Sequence, residues 1–149
     1  MNTNEKFLTL IVDDDDLFRQ FAKFILEKHL DIEVVGCKSP TEAFDFLEKR
    51  IPDLILLDME MPVMDGYSFL RKLRLDKRFE NIHVIPCTAL ASKDLFASLL
   101  KLGIDDYILK PPTDKILISK VKRVIDFLQR KTSDKGQNLS DSDQNEPSQ

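Results

Sequence analysis

With 149 residues the chain has room for one domain with a full core and hardly for two. Its 42% hydrophobic and 32% charged residues are ordinary for a soluble globular protein, and a net charge of −4 weighs against nucleic acid or an anionic membrane as a direct partner. No apolar run reaches the roughly 20 residues of a membrane helix, and the polar stretch Met1 to Lys6 is no signal peptide. Cys37 and Cys87 sit in separate strand-like stretches, too far apart to suggest a metal pair, and read as buried reduced thiols of a cytoplasmic protein.

In chain order, Phe7 to Val12 forms a first strand, and the run Asp13-Asp14-Asp15-Asp16 follows it directly. The later aspartates suit the start of a helix, marked by Leu17, Phe21, Phe24 and Lys28 with Phe18 and Ile25 alongside. Asp31 to Cys37 is a second strand. Ser39-Pro40-Thr41-Glu42 starts the next helix with an N-cap serine, a first-turn proline and a capping-box glutamate. Leu54 to Leu57 is a run without alternation, closed by prolines on both sides, as expected of a strand buried on both faces. It ends in Asp58.

Asp65-Gly66 is a turn leading into a helix with Phe69, Leu70 and Leu73 on one face. Ile82 to Cys87 is the fourth strand, with Pro86 inside it removing a ladder donor, and Thr88 follows. Ser92 caps a helix that Gly103 ends. That helix carries one apolar stripe of Leu95, Leu99 and Leu102, and a second of Phe96 and Leu100 that suits a partner-facing patch. Ile104 to Leu109 is the fifth strand, and Lys110-Pro111-Pro112 ends it. A last helix runs from about Thr113 to Arg130. The alternation predicts a doubly wound parallel α/β sheet. Residues 1–6 form a short extension, 7–130 the domain, and 131–149 a polar tail expected to be disordered.

The polar residues just after the strands are Asp13 and Asp14, Asp58, Thr88 and Lys110. Taken singly they have ordinary explanations: a solvated helix start, a turn former, a cap, a surface charge. Jointly they line the rim where open α/β sheets bind ligands. If the first and third strands are neighbours, three carboxylates meet. At an effective dielectric near 20, each pair about 4 Å apart costs about 4 kcal/mol. Such a cluster takes up protons or binds a cation, and Mg2+ suits a few carboxylates with waters and a phosphate. Asp58 is then a candidate nucleophile on phosphorus, with Lys110 and the Thr88 hydroxyl meeting the phosphoryl oxygens. His29 and His83 have no such company and read as surface or packing residues.

The motifs Leu10-Ile-Val-Asp13-Asp14-Asp15, Leu56-Leu-Asp58-Met-Glu60-Met-Pro62-Val-Met-Asp65-Gly66, Cys87-Thr88-Ala89 and Gly103-Ile-Asp-Asp-Tyr107-Ile-Leu-Lys110-Pro111 resemble those of receiver domains of two-component response regulators. The resemblance covers roughly residues 7 to 130. It implies a flavodoxin-like (βα)5 fold with strand order 2-1-3-4-5 and Mg2+-dependent phosphorylation of Asp58. The donor would be a phosphohistidine on a histidine kinase or histidine phosphotransfer protein. By that likeness Asp14, Asp58 and the backbone carbonyl of Glu60 ligate the metal, and Asp13 acts mostly through water. Lys110 contacts the phosphoryl group, and the Lys110–Pro111 bond is cis. Thr88 and Tyr107 form the switch. It alters the surface of the fourth helix, fifth strand and last helix, where similar proteins meet targets or form phosphorylation-dependent dimers. Glu60 and Leu90 sit where similar receivers vary and where side chains influence phosphoryl lifetime. The expectation is a stand-alone receiver without an output domain, neither binding nucleic acid nor inserting in a membrane. It would be no enzyme beyond its own phosphoryl transfer and slow self-dephosphorylation, and its downstream protein target is unknown.

Three competitors are weaker. A flavodoxin-like electron carrier needs a phosphate cradle where Asp13 to Asp16 would repel one. A free-standing Mg2+-dependent phosphatase with an aspartyl intermediate needs a general acid near Asp58. A phosphorylation-silent interaction module fits if Pro86 and Glu60 impair the switch.

Overall fold

Near-continuous apolar runs place five parallel strands between two layers of helix. The computed structural model describes residues 5–143. The strands are β1 (Phe7–Val12), β2 (Ile32–Cys37), β3 (Leu54–Asp58), β4 (His83–Thr88) and β5 (Ile108–Leu109), in the order β2-β1-β3-β4-β5. The helices are α1 (Asp16–His29), α2 (Pro40–Leu47), α3 (Gly66–Leu75), α4 (Lys93–Lys101) and α5 (Asp114–Asp143), with a 3-10 turn at Lys77–Phe79. This is the expected flavodoxin-like doubly wound sheet.

The unalternating run in β3 is explained by its two faces. Ile55 and Leu57 pack with Leu10, Val12 and Val84 against Ala43, Leu47, Phe69, Leu70, Leu73 and Leu99 of α2, α3 and α4. Leu54 and Leu56 point the other way, with Ile11, Ile85 and Cys87, onto Phe18, Ala22, Ile25, Leu117 and Val121 of α1 and α5. Both sides of the strand are dry, so both must be apolar. Caps then fix where the helices begin. Asp15 accepts from Leu17 N and Phe18 N, Ser39 from Glu42 N, Asp65 from Ser68 N and Ser92 from Leu95 N.

Two boundaries differ from expectation. The fifth strand was expected over Ile104 to Leu109, but only Ile108–Leu109 pair, with Cys87 and Thr88. The cause lies in β4. Val84 O accepts from Asp105 N at 3.1 Å and Thr88 O from Lys110 N at 2.8 Å, so both residues turn their polar backbone toward β5. Pro86 lies midway between them and faces the same flank, where it has no N–H to donate. Upstream of it the Asp105 carboxylate takes the ladder's place, accepting from Val84 N at 3.0 Å and meeting His83 Nδ1 at 2.7 Å. Toward β3 Pro86 stays in register with Leu57, and no bulge is needed.

The second difference is α5, whose backbone stays helical to Asp143, whereas the helix was expected to end near Arg130 and the tail from 131 to be disordered. No proline interrupts the chain between Pro112 and Pro147, so each residue keeps its N–H, and Gly136 is the weakest helix former of the stretch at about 1 kcal/mol. Residues 1–4 of the expected extension and 144–149 of the expected tail lie outside the described residues. Among the described residues no helix is long and apolar enough to cross a membrane.

Thr9 breaks the apolar pattern of β1: it is fully buried, and its Oγ1 has no hydrogen-bond partner among the described residues. Valine keeps the shape and removes the unpaired hydroxyl, so Thr9→Val is expected to stabilise the fold by about 1 kcal/mol. Urea unfolding with an unchanged slope checks this; a lower midpoint in the variant would contradict it.

Candidate functional site

Because β1 and β3 are adjacent and parallel, with Val12 opposite Leu57, their next residues emerge side by side. One carboxylate oxygen from each of Asp13, Asp14 and Asp58 lies within 4.8 Å of the other two. Lys110, from the end of β5, reaches back across the rim to place Nζ 2.6 Å from Asp13 Oδ2 and 3.2 Å from Asp58 Oδ1. Four of the five residues that sequence reasoning placed at strand ends therefore converge, and three carboxylates face one ammonium. The set is made of hard oxygen donors with an excess of negative charge, which fits a divalent cation such as Mg2+.

The cluster is held open to chemistry by neighbours that also hold it rigid. Asp13 is fully buried; its N–H continues the β1–β2 ladder to Cys37 O at 3.0 Å, and its carbonyl accepts from Arg19 at 2.6 Å. Its Oδ1 accepts from Asp15 N at 2.9 Å. Asp14 is exposed, the natural entry side for an ion. Asp58 is 3% exposed and accepts from Glu60 N at 3.1 Å, while Met59 N extends the ladder to Cys87 O at 3.1 Å. The Lys110 ammonium lies 4.6 Å from the centre of the Phe18 ring. The Lys110–Pro111 bond is cis.

Burial pushes the Asp58 carboxyl up to about 7, and the Asp13 charge adds to the rise, against the opposing pull of the Glu60 N–H and Lys110. For Lys110 burial works downward, but the hydrogen bond to Asp13 and the charges of Asp13 and Asp58 outweigh it, and the net direction is up. The thiols are inert by the same cause: burial pushes Cys37 to about 11 and Cys87 to about 12.

Thr88 and Tyr107 stand beside the cluster rather than in it. Thr88 Oγ1 donates to Glu60 Oε1 at 2.6 Å and accepts from Leu90 N at 3.0 Å. Tyr107 meets Phe96 of α4 edge-on at 5.1 Å, and both rings line an apolar cleft of about 250 Å3 with Thr88, Leu90 and Leu99. Sequence reasoning missed the Thr88–Glu60 bond, the grip of Arg19 on Asp13, and the need for glycine at position 66. A Cβ on Gly66 would collide with the Asp58 carbonyl oxygen, so α3 can begin against the Asp58 turn only without a side chain. The Asp65-Gly66 pair was the visible signal for that turn; the other two contacts have none in local sequence.

The chain belongs to the response regulator receiver domain family, the signalling modules of two-component systems, whose profile matches residues 9–122. It is similar to the response regulator Rre1 of Synechocystis, 36% identical over 107 residues, covering 72% of this chain and 46% of that protein. It is also similar to the hybrid signal transduction histidine kinase D of Dictyostelium discoideum, 31% identical over 146 residues, covering 94% of this chain and 9% of that protein. A CheY-like receiver structure from Methanospirillum hungatei superposes with a TM-score of 0.77 at 29% identity, over 85% of this chain and 99% of that one. The chain thus spans less than half the length of these two curated relatives.

The raised Asp58 carboxyl carries a stability cost in the absence of metal. Its folded value of about 7 lies above the ordinary 3.8, so the folded state holds the extra proton between those limits and stability falls as pH rises through them. In chelator near pH 8, Asp58→Asn is expected to be more stable than wild type by about 1–3 kcal/mol. The gap closes as pH is lowered toward 4, and Mg2+ raises wild type alone. Urea midpoints across pH check this; a variant less stable than wild type at pH 8 would contradict it.

Proposed function

We propose that Asp58 is a phosphoacceptor and that its phosphorylation switches the face formed by α4, β5 and α5. The observation that carries this reading is the convergence of Asp13, Asp14, Asp58 and Lys110 at the rim between β1 and β3. Asp58 takes the phosphoryl group from a phosphohistidine on a histidine kinase or phosphotransfer protein. One Asp58 oxygen bonds to phosphorus as the phosphorus–nitrogen bond breaks, and the imidazole keeps the electron pair and takes up a proton. Asp14, Asp58 and the Glu60 backbone carbonyl would hold Mg2+, with Asp13 acting mostly through water, and the ion supplies positive charge for the phosphoryl oxygens. Lys110 favours the ionised, attacking form of Asp58 and then offsets the charge of the product.

The Thr88 hydroxyl and the Tyr107 ring respond to that charge, as the switch pair. Phe96 at 36% exposure and Leu100 at 53% give the face an apolar patch for a protein target or a second receiver. The same site catalyses slow self-dephosphorylation by water and no reaction on a separate substrate. A cytoplasmic setting, where the buried thiols Cys37 and Cys87 stay reduced, completes the reading.

Intact mass after incubation with Mg2+ and a small acyl phosphate tests the acceptor. Wild type is expected to gain one phosphoryl group, and Asp58→Asn or wild type in chelator none. Lys110→Ala is expected to slow the gain by about 10- to 100-fold. If wild type gains no mass and binds no beryllofluoride, the phosphorylation-silent interaction module replaces this reading. In the phosphorylated protein, polar residues at Phe96 and Leu100 are expected to weaken target binding while leaving the unfolding midpoint near wild type.

A further inference from the structure

Thr88 ends β4 with its hydroxyl already committed. The side chain is 5% exposed, and Oγ1 donates to Glu60 Oε1 at 2.6 Å while accepting the Leu90 N–H at 3.0 Å. A hydroxyl has one proton to give. Thr88 can therefore donate to Glu60 or to a phosphoryl oxygen on Asp58, not to both. The bond to Glu60 belongs to the stronger, charge-assisted kind, because its acceptor is a carboxylate.

Glu60 is in turn tied to the acceptor. It lies two residues beyond Asp58, and its backbone N–H donates to Asp58 Oδ1 at 3.1 Å. The two carboxylates leave one tight turn, so added negative charge on Asp58 acts on Glu60 at short range. Glu60 is exposed and Thr88 is buried. When the bond between them breaks, Glu60 turns to water and Thr88 stays inside.

We propose that Glu60 is a positioning residue that latches Thr88 in the resting conformation, through the 2.6 Å bond from the threonine hydroxyl to its carboxylate. The proposal rests on the reading of Asp58 as phosphoacceptor. A phosphoryl group on Asp58 competes for the Thr88 proton and repels the Glu60 carboxylate, and both effects open the latch. The Leu90 N–H, bound to the same hydroxyl, carries the change into the β4–α4 loop, which lines the cleft shared with Phe96 and Tyr107. The part of phosphoryl binding energy that opens the latch is lost from affinity, so removing the Glu60 carboxylate tightens binding of a phosphoryl mimic.

The test is the affinity of the full chain for beryllofluoride in Mg2+, by calorimetry, in a double-mutant cycle. Glu60→Ala keeps the backbone carbonyl and is expected to bind about tenfold more tightly than wild type. Glu60→Gln, an uncharged acceptor, is expected to fall between them. In a Thr88→Val background, Glu60→Ala is expected to shift the affinity less than about twofold. No gain in Glu60→Ala overturns the latch. A tenfold gain that persists without the Thr88 hydroxyl overturns it too, since charge alone would then be the cause. A wild type that binds beryllofluoride without any Glu60 effect leaves the acceptor reading standing. Failure of wild type and variants alike to bind it removes both.

Discussion

Three carboxylates facing one ammonium, at the carboxyl ends of β1, β3 and β5, impose the constraint that the rest of the structure satisfies. Asp13, Asp14 and Asp58 repel one another, and Lys110 neutralises only part of that charge. Left to flexible loops, the cluster would spread. It stays together because backbone bonds decide its geometry before any charge is considered. Asp13 N is the last rung toward β2, Met59 N extends the β3 ladder to Cys87 O, and Lys110 N is bound to Thr88 O. Burial raises the Asp58 pKa, and the residual repulsion from Asp13 adds to that rise rather than dispersing the cluster. A site strained in this way favours whatever supplies positive charge.

The apolar packing has a second role besides stability. β1 and β3 each run to the rim with both faces buried, so a one-residue slip in either would drive an aspartate into the core. Register is therefore strongly enforced where the acids emerge. The turn after Asp58 is equally constrained, since α3 begins at Gly66 within touching distance of the Asp58 carbonyl. Asp58 hangs between a rigid strand and a rigid helix start, which is the preorganisation that short-range chemistry needs.

Sequence was informative where local pattern decides structure. The unalternating Leu54–Leu57 run, the serine caps at 39 and 92 and the Asp65-Gly66 turn all report on their own neighbourhood, and each lies where it was expected. The rim cluster was legible once strand order was assumed, because strand ends on one rim are few. The Thr88–Glu60 bond spans 28 residues and depends on how two loops meet, which no periodicity records. The short β5 was hidden for a related reason. Ile104 to Leu109 has strand composition, but its pairing depends on a partner strand whose Pro86 withholds a donor. Likewise, nothing in the polar composition after Arg130 reports the continued helical backbone of α5.

The positions of Thr88 and Tyr107 follow from the same asymmetry of the sheet. β1 and β3 are paired on two sides over most of their length, whereas β4 meets β5 only at Cys87 and Thr88 and β5 is an edge of two residues. Thr88 closes β4 and Tyr107 precedes β5, so both sit where the ladder is thinnest. Pro86 thins it further by leaving the flank toward β5 one donor short. Side-chain bonds stand in for the ladder there: Asp105 to Val84 N and His83, and Lys120 to the Tyr107 carbonyl at 2.6 Å. Side-chain bonds of this kind break and re-form at lower cost than a strand pairing between two buried neighbours. Asp58 stands on a strand paired on both sides, and Thr88 and Tyr107 stand at the thin edge. On the proposed reading, one added charge at Asp58 would move Thr88 and Tyr107 without disturbing the strands that hold the site.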